Sequence, residues 1–124
     1  MATDRSAVGR KSKRKGANGE RELAKLLNEY GYECRRGCQF NGKGAADVIG
    51  LPGIHIECKR VEHLDLYGAL DQSLRDTKGI DLSTVFHRRN NKPWIVSMPM
   101  EQWILLYRLS GLGEENGKQE FCDL

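Results

Sequence analysis

Residues 47–59 read DVIGLPGIHIECK, and this stretch decides the fold. Apolar residues dominate both halves, and the Leu51-Pro52-Gly53 segment between them is typical of a turn, so we predict two strands joined as a hairpin. Side chains alternate between the two faces of a strand. The isoleucines and the cysteine of the second half therefore share one face, whereas His55, Glu57 and Lys59 share the other. Because charges are costly to bury, two carboxylates and a lysine at these strands indicate chemistry as well as packing.

The length of the turn decides whether Asp47 joins the charged face. A two-residue turn would place Asp47 on the face opposite Glu57. A three-residue loop at residues 51–53, with Gly53 in the left-handed conformation at its end, pairs Asp47 directly with Glu57. We predict this second register. Facing carboxylates repel each other in an empty sheet, but they offer the oxygen ligands that a hard divalent cation needs.

The composition predicts one soluble domain. A chain of 124 residues can bury its own core, and 30% charged with 7% aromatic residues is ordinary for a globular protein. No apolar run approaches the length of a membrane span, and the N-terminus lacks the apolar segment of a signal peptide. We expect a cytoplasmic location without membrane contact.

Four cysteines raise the question of disulfides or zinc. They stand at Cys34, Cys38, Cys58 and Cys122. No CxxC pair or histidine pair completes a zinc pattern, and the cytoplasm keeps thiols reduced. We interpret them as small, mostly buried thiols.

The positive charge is concentrated at the N-terminus. Residues 1–15 carry six basic side chains and one acidic, a net of +5, whereas the rest of the chain has a net of −2. No apolar period runs through this segment, so we predict a flexible arm. The arm either contacts nucleic-acid phosphates or is a solvated tail, and both interpretations stay open. The side chains expected to contact phosphates are Arg10, Lys11, Lys13, Arg14 and Lys15, together with Lys43 from the polar, glycine-rich loop at residues 37–44.

A helix is predicted from about Glu20 to Tyr30. Its apolar stripe is formed by Leu23, Ala24 and Leu27, and Gly31 ends it. Glu20 opens this buried stripe. It either complements the dipole of a first helical turn, as Glu22 would also do, or projects toward the sheet as a third oxygen ligand.

The remaining elements alternate between strands and helices. A strand at residues 32–36 precedes the hairpin. A helix capped by Asp65 runs to about Lys78, two strands follow at residues 83–88 and 94–97, and a last helix begins after Pro99 and ends before Gly111. The predicted order is αβββαββα, with a domain at residues 16–111 and a C-terminal tail at 112–124. We expect Trp94 and Trp103 to lie in the core rather than to stack on bases.

Three segments taken together carry a family resemblance: 15–21 with Glu20-Arg21, then Ala46-Asp47, then Ile56-Glu57-Cys58-Lys59. In order and spacing they resemble the PD-(D/E)xK nuclease superfamily, and within it the small Holliday junction resolvases of archaea and their phage-encoded relatives. The resemblance covers about residues 14–107. It implies an α/β (α+β) fold with a restriction-endonuclease-like core, in which helices flank a central mixed five-stranded sheet. One departure is Ala46, which stands where the family pattern has a proline.

The resemblance also implies roles for individual residues. Asp47 and Glu57 match the metal-binding acids, Lys59 matches the lysine of the (D/E)xK element, and Glu20 matches the glutamate of the first helix. Mg²⁺ or Mn²⁺ would be held by these acids and the backbone carbonyl of Cys58. Lys59 would place a positive charge near the attacking water or the phosphate, and Gln72 would orient a water or a backbone phosphate.

We therefore expect a metal-dependent DNA endonuclease that needs no small-molecule cofactor. So short a chain has little room for a base-reading domain, which favours recognition of branched DNA by its shape and phosphates. A four-way junction has two symmetry-related scissile strands, so a homodimer is expected. The alternatives are a nuclease acting on linear or nicked DNA in phage packaging or repair, and a non-catalytic nucleic-acid-binding module with a nuclease-like fold.

Overall fold

The structure, a computed structural model, describes residues 4–37 and 46–114. Eight elements occur in the predicted order, which is confirmed. They are α1 (Asp4–Glu29), β1 (Arg35–Arg36), β2 (Val48–Ile49), β3 (Ile54–Arg60), α2 (Leu66–Asp76), β4 (Leu82–Arg88), β5 (Ile95–Ser97) and α3 (Met100–Ser110). None of the helices in these two segments is long and apolar enough to cross a membrane.

The five strands form one mixed sheet in the order β1-β2-β3-β4-β5. Three of the four neighbouring pairs are antiparallel, and only β3 and β4 run parallel. A parallel pair needs a crossover connection, and α2 provides it. The result is an α+β fold consistent with a restriction-endonuclease-like core.

The two helices pack on different faces of the sheet: one face is apolar, and the other carries the charged residues of β3. α1 packs on β1, β2 and β3, and α2 packs on β3 and β4. The buried apolar cluster lies under α1 and consists of Leu23, Ala24, Cys34, Val48, Ile56, Cys58 and Phe86. By the alternation along β3, the charged residues between Ile56 and Arg60 point to the α2 side. The predicted separation of an apolar face from a charged face is therefore present in β3.

α1 is much longer than predicted. It begins at Asp4 rather than near Glu20, so residues 4–15, predicted as a flexible arm, form the first turns of the helix instead. Arginine, lysine and alanine are favourable in helices, and no proline interrupts the segment. A helical segment without an apolar stripe leaves no periodic signal in the sequence, which explains the wrong prediction. Glu20 thus lies in the helix interior, where the dipole of a first turn does not reach.

One glycine allows β1 and β2 to join closely. Gly50 has φ 127°, and a Cβ atom there would lie 2.4 Å from the carbonyl oxygen of Glu33 and 2.6 Å from Cα of Cys34. Only glycine satisfies both the backbone conformation and the contact. The hairpin that carries Asp47 is therefore held against the segment preceding β1.

α3 lies at the margin of the fold. Gly111 ends it in the left-handed conformation, as predicted, but no residue of α3 is buried. Trp103 is 48% exposed and stacks on Tyr107 with ring centroids 5.4 Å apart, so its prediction as a core residue is wrong. Trp94 is partly buried and packs against the core cluster. Large exposed apolar side chains of β5 and α3 include Val96, Met100, Trp103, Leu105, Leu106, Tyr107 and Leu109. We call this set the α3–β5 surface.

Candidate active site

The hairpin adopts the predicted register. Val48 faces Ile56, which is the pairing that a three-residue loop produces. Gly53 has φ 86°, and the Ile54 N–H donates to the carbonyl of Leu51 at 3.1 Å. Asp47 precedes Val48 and donates its backbone N–H to the carbonyl of Ile56 at 2.9 Å. The prediction that the register brings Asp47 to Glu57 is confirmed.

The carboxyl group of Asp47 lies in a strongly acidic environment. Burial, together with the neighbouring carboxylates of Glu57 and Glu20, raises the pKa of Asp47 to about 7, against the lowering effect of the Cys58 N–H. That N–H donates to Oδ2 of Asp47 at 2.9 Å. Like charges in a low-dielectric site cannot all ionise without a positive partner. The site is therefore arranged to accept positive charge.

Glu57 is the most deeply buried acid of the site. It is 1% exposed, and its Oε1 lies 2.9 Å from Nε2 of His55. Its Oε2 is buried and has no hydrogen-bond partner among the described residues. An unpaired buried carboxylate oxygen costs at least about 1–3 kcal/mol. An oxygen donor left open beside a second carboxylate fits a hard divalent cation such as Mg²⁺ or Mn²⁺.

His55 is a site residue to which sequence reasoning assigned no role. It is 6% exposed and lies on the same face of β3 as Glu57. The alternation of side chains already placed the two residues together, and this spacing of two was the available signal. By occupying Oε1, His55 restricts the orientation of the Glu57 carboxyl group.

Lys59 and Gln72 are brought together from different elements. Lys59 lies on β3 and Gln72 on α2, and the Lys59 Nζ donates to the amide oxygen of Gln72 at 3.1 Å. Two of the predicted site residues are therefore in direct contact. The amide holds the lysine ammonium on the face that carries Glu57.

The carboxylate of Glu20 influences Asp47 through its charge, but it binds Arg36. Its Oε2 accepts a hydrogen bond from Nε of Arg36 at 2.7 Å, and its side chain is 17% exposed. Its charge nevertheless contributes to the raised pKa of Asp47. Within residues 4–37 and 46–114, no three histidine, cysteine or acidic side chains converge as a metal cluster. The role of Glu20 as a third ligand stays a prediction.

Cys58 contacts the site through its backbone N–H. Burial, with added effects from Asp47 and other charges, raises the pKa of its thiol to about 12, so the thiol stays neutral within the core. Its carbonyl as a metal ligand stays a prediction. Cys34 and Cys58 are buried free thiols, as expected, whereas Cys38 and Cys122 lie outside the described residues.

A second acidic residue of α1 anchors the helix to the sheet. Glu22 forms ion pairs with Arg60 of β3, at 3.4 Å, and with Arg88 of β4. A Cβ atom on Gly19 would lie 2.6 Å from Cβ of Arg60, so the helix approaches β3 closely at this point. The ion pairs hold the part of α1 that carries Glu20 against the sheet. Sequence reasoning gave no signal for these pairs because the partners are distant in the chain.

The structure describes only some of the side chains that are predicted to contact phosphates. Arg10, Lys11, Lys13, Arg14 and Lys15 all belong to α1, and the side chain of Arg14 is exposed. Lys43 lies outside the described residues. Their role in binding DNA stays a prediction.

A protein-family model matches part of this chain. The family model described as archaeal Holliday junction resolvase (Hjc) matches residues 11–75. The match covers just over half of the chain and includes Glu20, Asp47, Glu57, Lys59 and Gln72. No curated protein and no solved structure matches significantly. The chain belongs to the archaeal Holliday junction resolvase family.

Proposed function

We propose that this protein is a metal-dependent endonuclease that cuts four-way DNA junctions. Its family is one of nucleases that act on such junctions. The observation that carries the proposal is the facing pair of half-buried Asp47 and buried Glu57, in which one oxygen of Glu57 has no hydrogen-bond partner among the described residues. Lys59 on the same face adds the positive charge that phosphodiester hydrolysis requires.

Mg²⁺ or Mn²⁺ fits the donor set of this site. Asp47, Glu57 and the backbone carbonyl of Cys58 would hold the ion, with Glu20 as a further oxygen donor close by. When bound, the ion supplies water activation and neutralises charge on the phosphate. The unpaired Oε2 of Glu57 and the raised pKa of Asp47 both support a cation at this position.

The protein side chains position the reacting groups. Lys59 presents a compact ammonium to the attacking water or to a non-bridging phosphate oxygen. Gln72 limits the movement of that ammonium through their hydrogen bond of 3.1 Å. His55 fixes one oxygen of Glu57 so that the other faces the site. The basic residues of α1 and Lys43 contact backbone phosphates, which suits recognition by DNA shape without base readout.

The test of this function is cleavage of a labelled four-way junction beside a linear duplex of matched sequence. We expect paired cuts in the junction with Mg²⁺ or Mn²⁺, none with EDTA, and little cutting of the duplex. Equal cutting of linear or nicked duplex would favour a general repair or packaging nuclease. Tight junction binding without cutting under any metal condition would favour a non-catalytic binding module.

A homodimer follows from the symmetry of the substrate. Each chain contributes one site, and a junction has two scissile strands related by approximate two-fold symmetry. The α3–β5 surface is the contact we propose, because large apolar side chains there lack cover in the single chain. Beside it, an apolar depression of about 540 Å³ between α2, β5 and α3 adds a cavity that a partner side chain would fill.

Sedimentation of single variants tests this contact. We expect a dimer for the wild type and a monomer for Leu109→Lys or Trp103→Lys, because a buried unpaired charge strongly disfavours association. Tyr30→Lys is the control, since Tyr30 is 76% exposed at the end of α1. A wild type that sediments as a monomer at micromolar concentration would refute the dimer.

A further inference from the structure

A second basic feature lies at the turn between β4 and β5, next to the end of β3 that carries Lys59. At the β4–β5 turn a depression of about 390 Å³ is lined by basic side chains and one acid, together with apolar residues. We define the turn pocket by Glu62, His87, Arg88, Arg89 and Lys92. We propose that the turn pocket, through Arg89 and Lys92, binds a backbone phosphate of the DNA a few nucleotides from the scissile bond. This inference rests on the proposed function.

The strand register places the turn pocket beside the candidate active site. His87 is the direct neighbour of Lys59 across the parallel pair, and Ile95 is the neighbour of His87 on the next strand. Cross-strand neighbours point to the same face. Strands lie about 4.8 Å apart, so the pocket extends roughly 5–10 Å sideways from Lys59. That distance corresponds to about two to three nucleotides of axial rise along a DNA strand.

Some charged side chains of the turn pocket bind other parts of the protein, whereas others are available to a ligand. Arg88 is committed to the protein: it pairs with Glu22, and its Nε donates to the carbonyl of Lys92 at 2.6 Å. Glu62, the one acid among the described residues that line the pocket, accepts a hydrogen bond from the backbone N–H of Asn90 at 2.8 Å. Arg89 and Lys92 are exposed, and within the described parts of the chain neither has an acidic side chain at ion-pair distance. Two cations are therefore available to a ligand.

The turn that carries these cations is held in one conformation. Arg88 fixes the backbone at Lys92, and the Lys92 N–H donates to the carbonyl of Arg89 at 3.2 Å. Asn91 completes the turn with φ 61°, a left-handed conformation that asparagine tolerates. A preorganised pair of cations loses less side-chain freedom on binding than a pair on a mobile loop.

The chemistry of the pocket matches a phosphodiester backbone. The planar guanidinium of Arg89 can donate two parallel hydrogen bonds to phosphate oxygens, and Lys92 adds a second charge. The apolar part of the lining, Val61, Leu64, Pro93 and Ile95, offers contact for deoxyribose. Such contacts position a strand without reading its bases, which agrees with selection by shape.

The experiment compares two double variants of equal charge. Arg89→Gln/Lys92→Gln removes the two free cations. Lys25→Gln/Lys78→Gln removes two exposed cations elsewhere, since Lys25 lies on α1 and Lys78 precedes the opposite end of β4. Binding of a four-way junction is measured at several salt concentrations in EDTA, so that no strand is cut. Thermal unfolding verifies that both variants fold.

We expect the turn-pocket variant to bind about tenfold more weakly at low salt. Its plot of log affinity against log salt should be shallower by about 1–2, because each lost phosphate contact removes about 0.9 from the slope. In ethylation interference on the junction, the turn-pocket variant should lose the signal at one or two phosphates near the scissile bond. The control should keep the slope and the full interference pattern. An unchanged slope, or equal weakening in both variants, would overturn the inference.

Cleavage by the wild type separates this inference from the proposed function. If the wild type cuts the junction with Mg²⁺ and the turn-pocket variant keeps the wild-type slope, the nuclease stands and the pocket assignment fails. If the slope depends on Arg89 and Lys92 but the wild type never cuts, the pocket assignment stands and the nuclease fails. A wild type that does not bind the junction would overturn both.

Discussion

Glu57→Gln should reduce junction cleavage at least about 1,000-fold, because in the proposed mechanism this carboxylate holds the metal and stabilises the transition state. Glutamine keeps the size of the side chain and an oxygen or nitrogen near His55, so the fold should survive. Junction binding in EDTA should stay within about twofold of the wild type. The measurement is the single-turnover cleavage rate with Mg²⁺, alongside the dissociation constant for the uncut junction.

The matched control is Glu101→Gln, which alters an exposed carboxylate in the first turn of α3. It should leave the cleavage rate unchanged. A Glu57→Gln protein that cuts within tenfold of the wild type would exclude Glu57 from the chemistry. A variant that loses binding as strongly as cleavage would point to misfolding or to a role in binding DNA.

Asp47→Asn should make the metal-free protein more stable at pH 8. Burial raises the pKa of Asp47 to about 7, whereas its ordinary value is 3.8. Between these two pH values the folded state keeps a proton that the unfolded state releases. The stability linked to Asp47 is therefore fully present below pH 3.8 and is lost as pH rises through about 7. A difference of this size corresponds to at most about 4 kcal/mol in the free energy of unfolding.

Urea denaturation at pH 5 and pH 8, with EDTA or with Mg²⁺, measures this effect. The wild type should lose stability between the two pH values in EDTA and regain it with Mg²⁺, because a cation relieves the repulsion between Asp47 and Glu57. Asp47→Asn should show neither change. Asp71→Asn, at an exposed position of α2, should behave as the wild type. A wild type whose metal-free stability is equal at both pH values would refute the raised pKa.

Local patterns were sufficient to predict the hairpin. The alternation in residues 54–59 placed Glu57 and Lys59 on one face, and the length of the 51–53 turn set the register that brings Asp47 to Glu57. Both properties depend on neighbours in the chain, since side-chain direction has a period of two and turn geometry involves a few residues. The element order was predictable for the same reason, because apolar periods and turn residues mark most boundaries.

Contacts between distant residues could not be predicted in this way. The pairing of Glu20 with Arg36, the ion pairs of Glu22 with Arg60 and Arg88, and the hydrogen bond between Lys59 and Gln72 each join separate elements. Side chains of these types are equally compatible with solvent, so the sequence carries no signal for their partners. The early start of α1 escaped prediction because a polar helix has no apolar stripe.

By itself, the sequence determined the order of the elements, the register of the hairpin and the residues that could form a nuclease site. Tertiary structure alone decided which of these groups are buried and what they contact. Packing of α1 and α2 on opposite faces removed water from Asp47 and Glu57, which raised the pKa of Asp47 and left one oxygen of Glu57 without a hydrogen-bond partner in residues 4–37 and 46–114. The physical reason is that desolvation and long-range charge pairing depend on the whole fold, whereas strand alternation and turn length depend only on neighbouring residues.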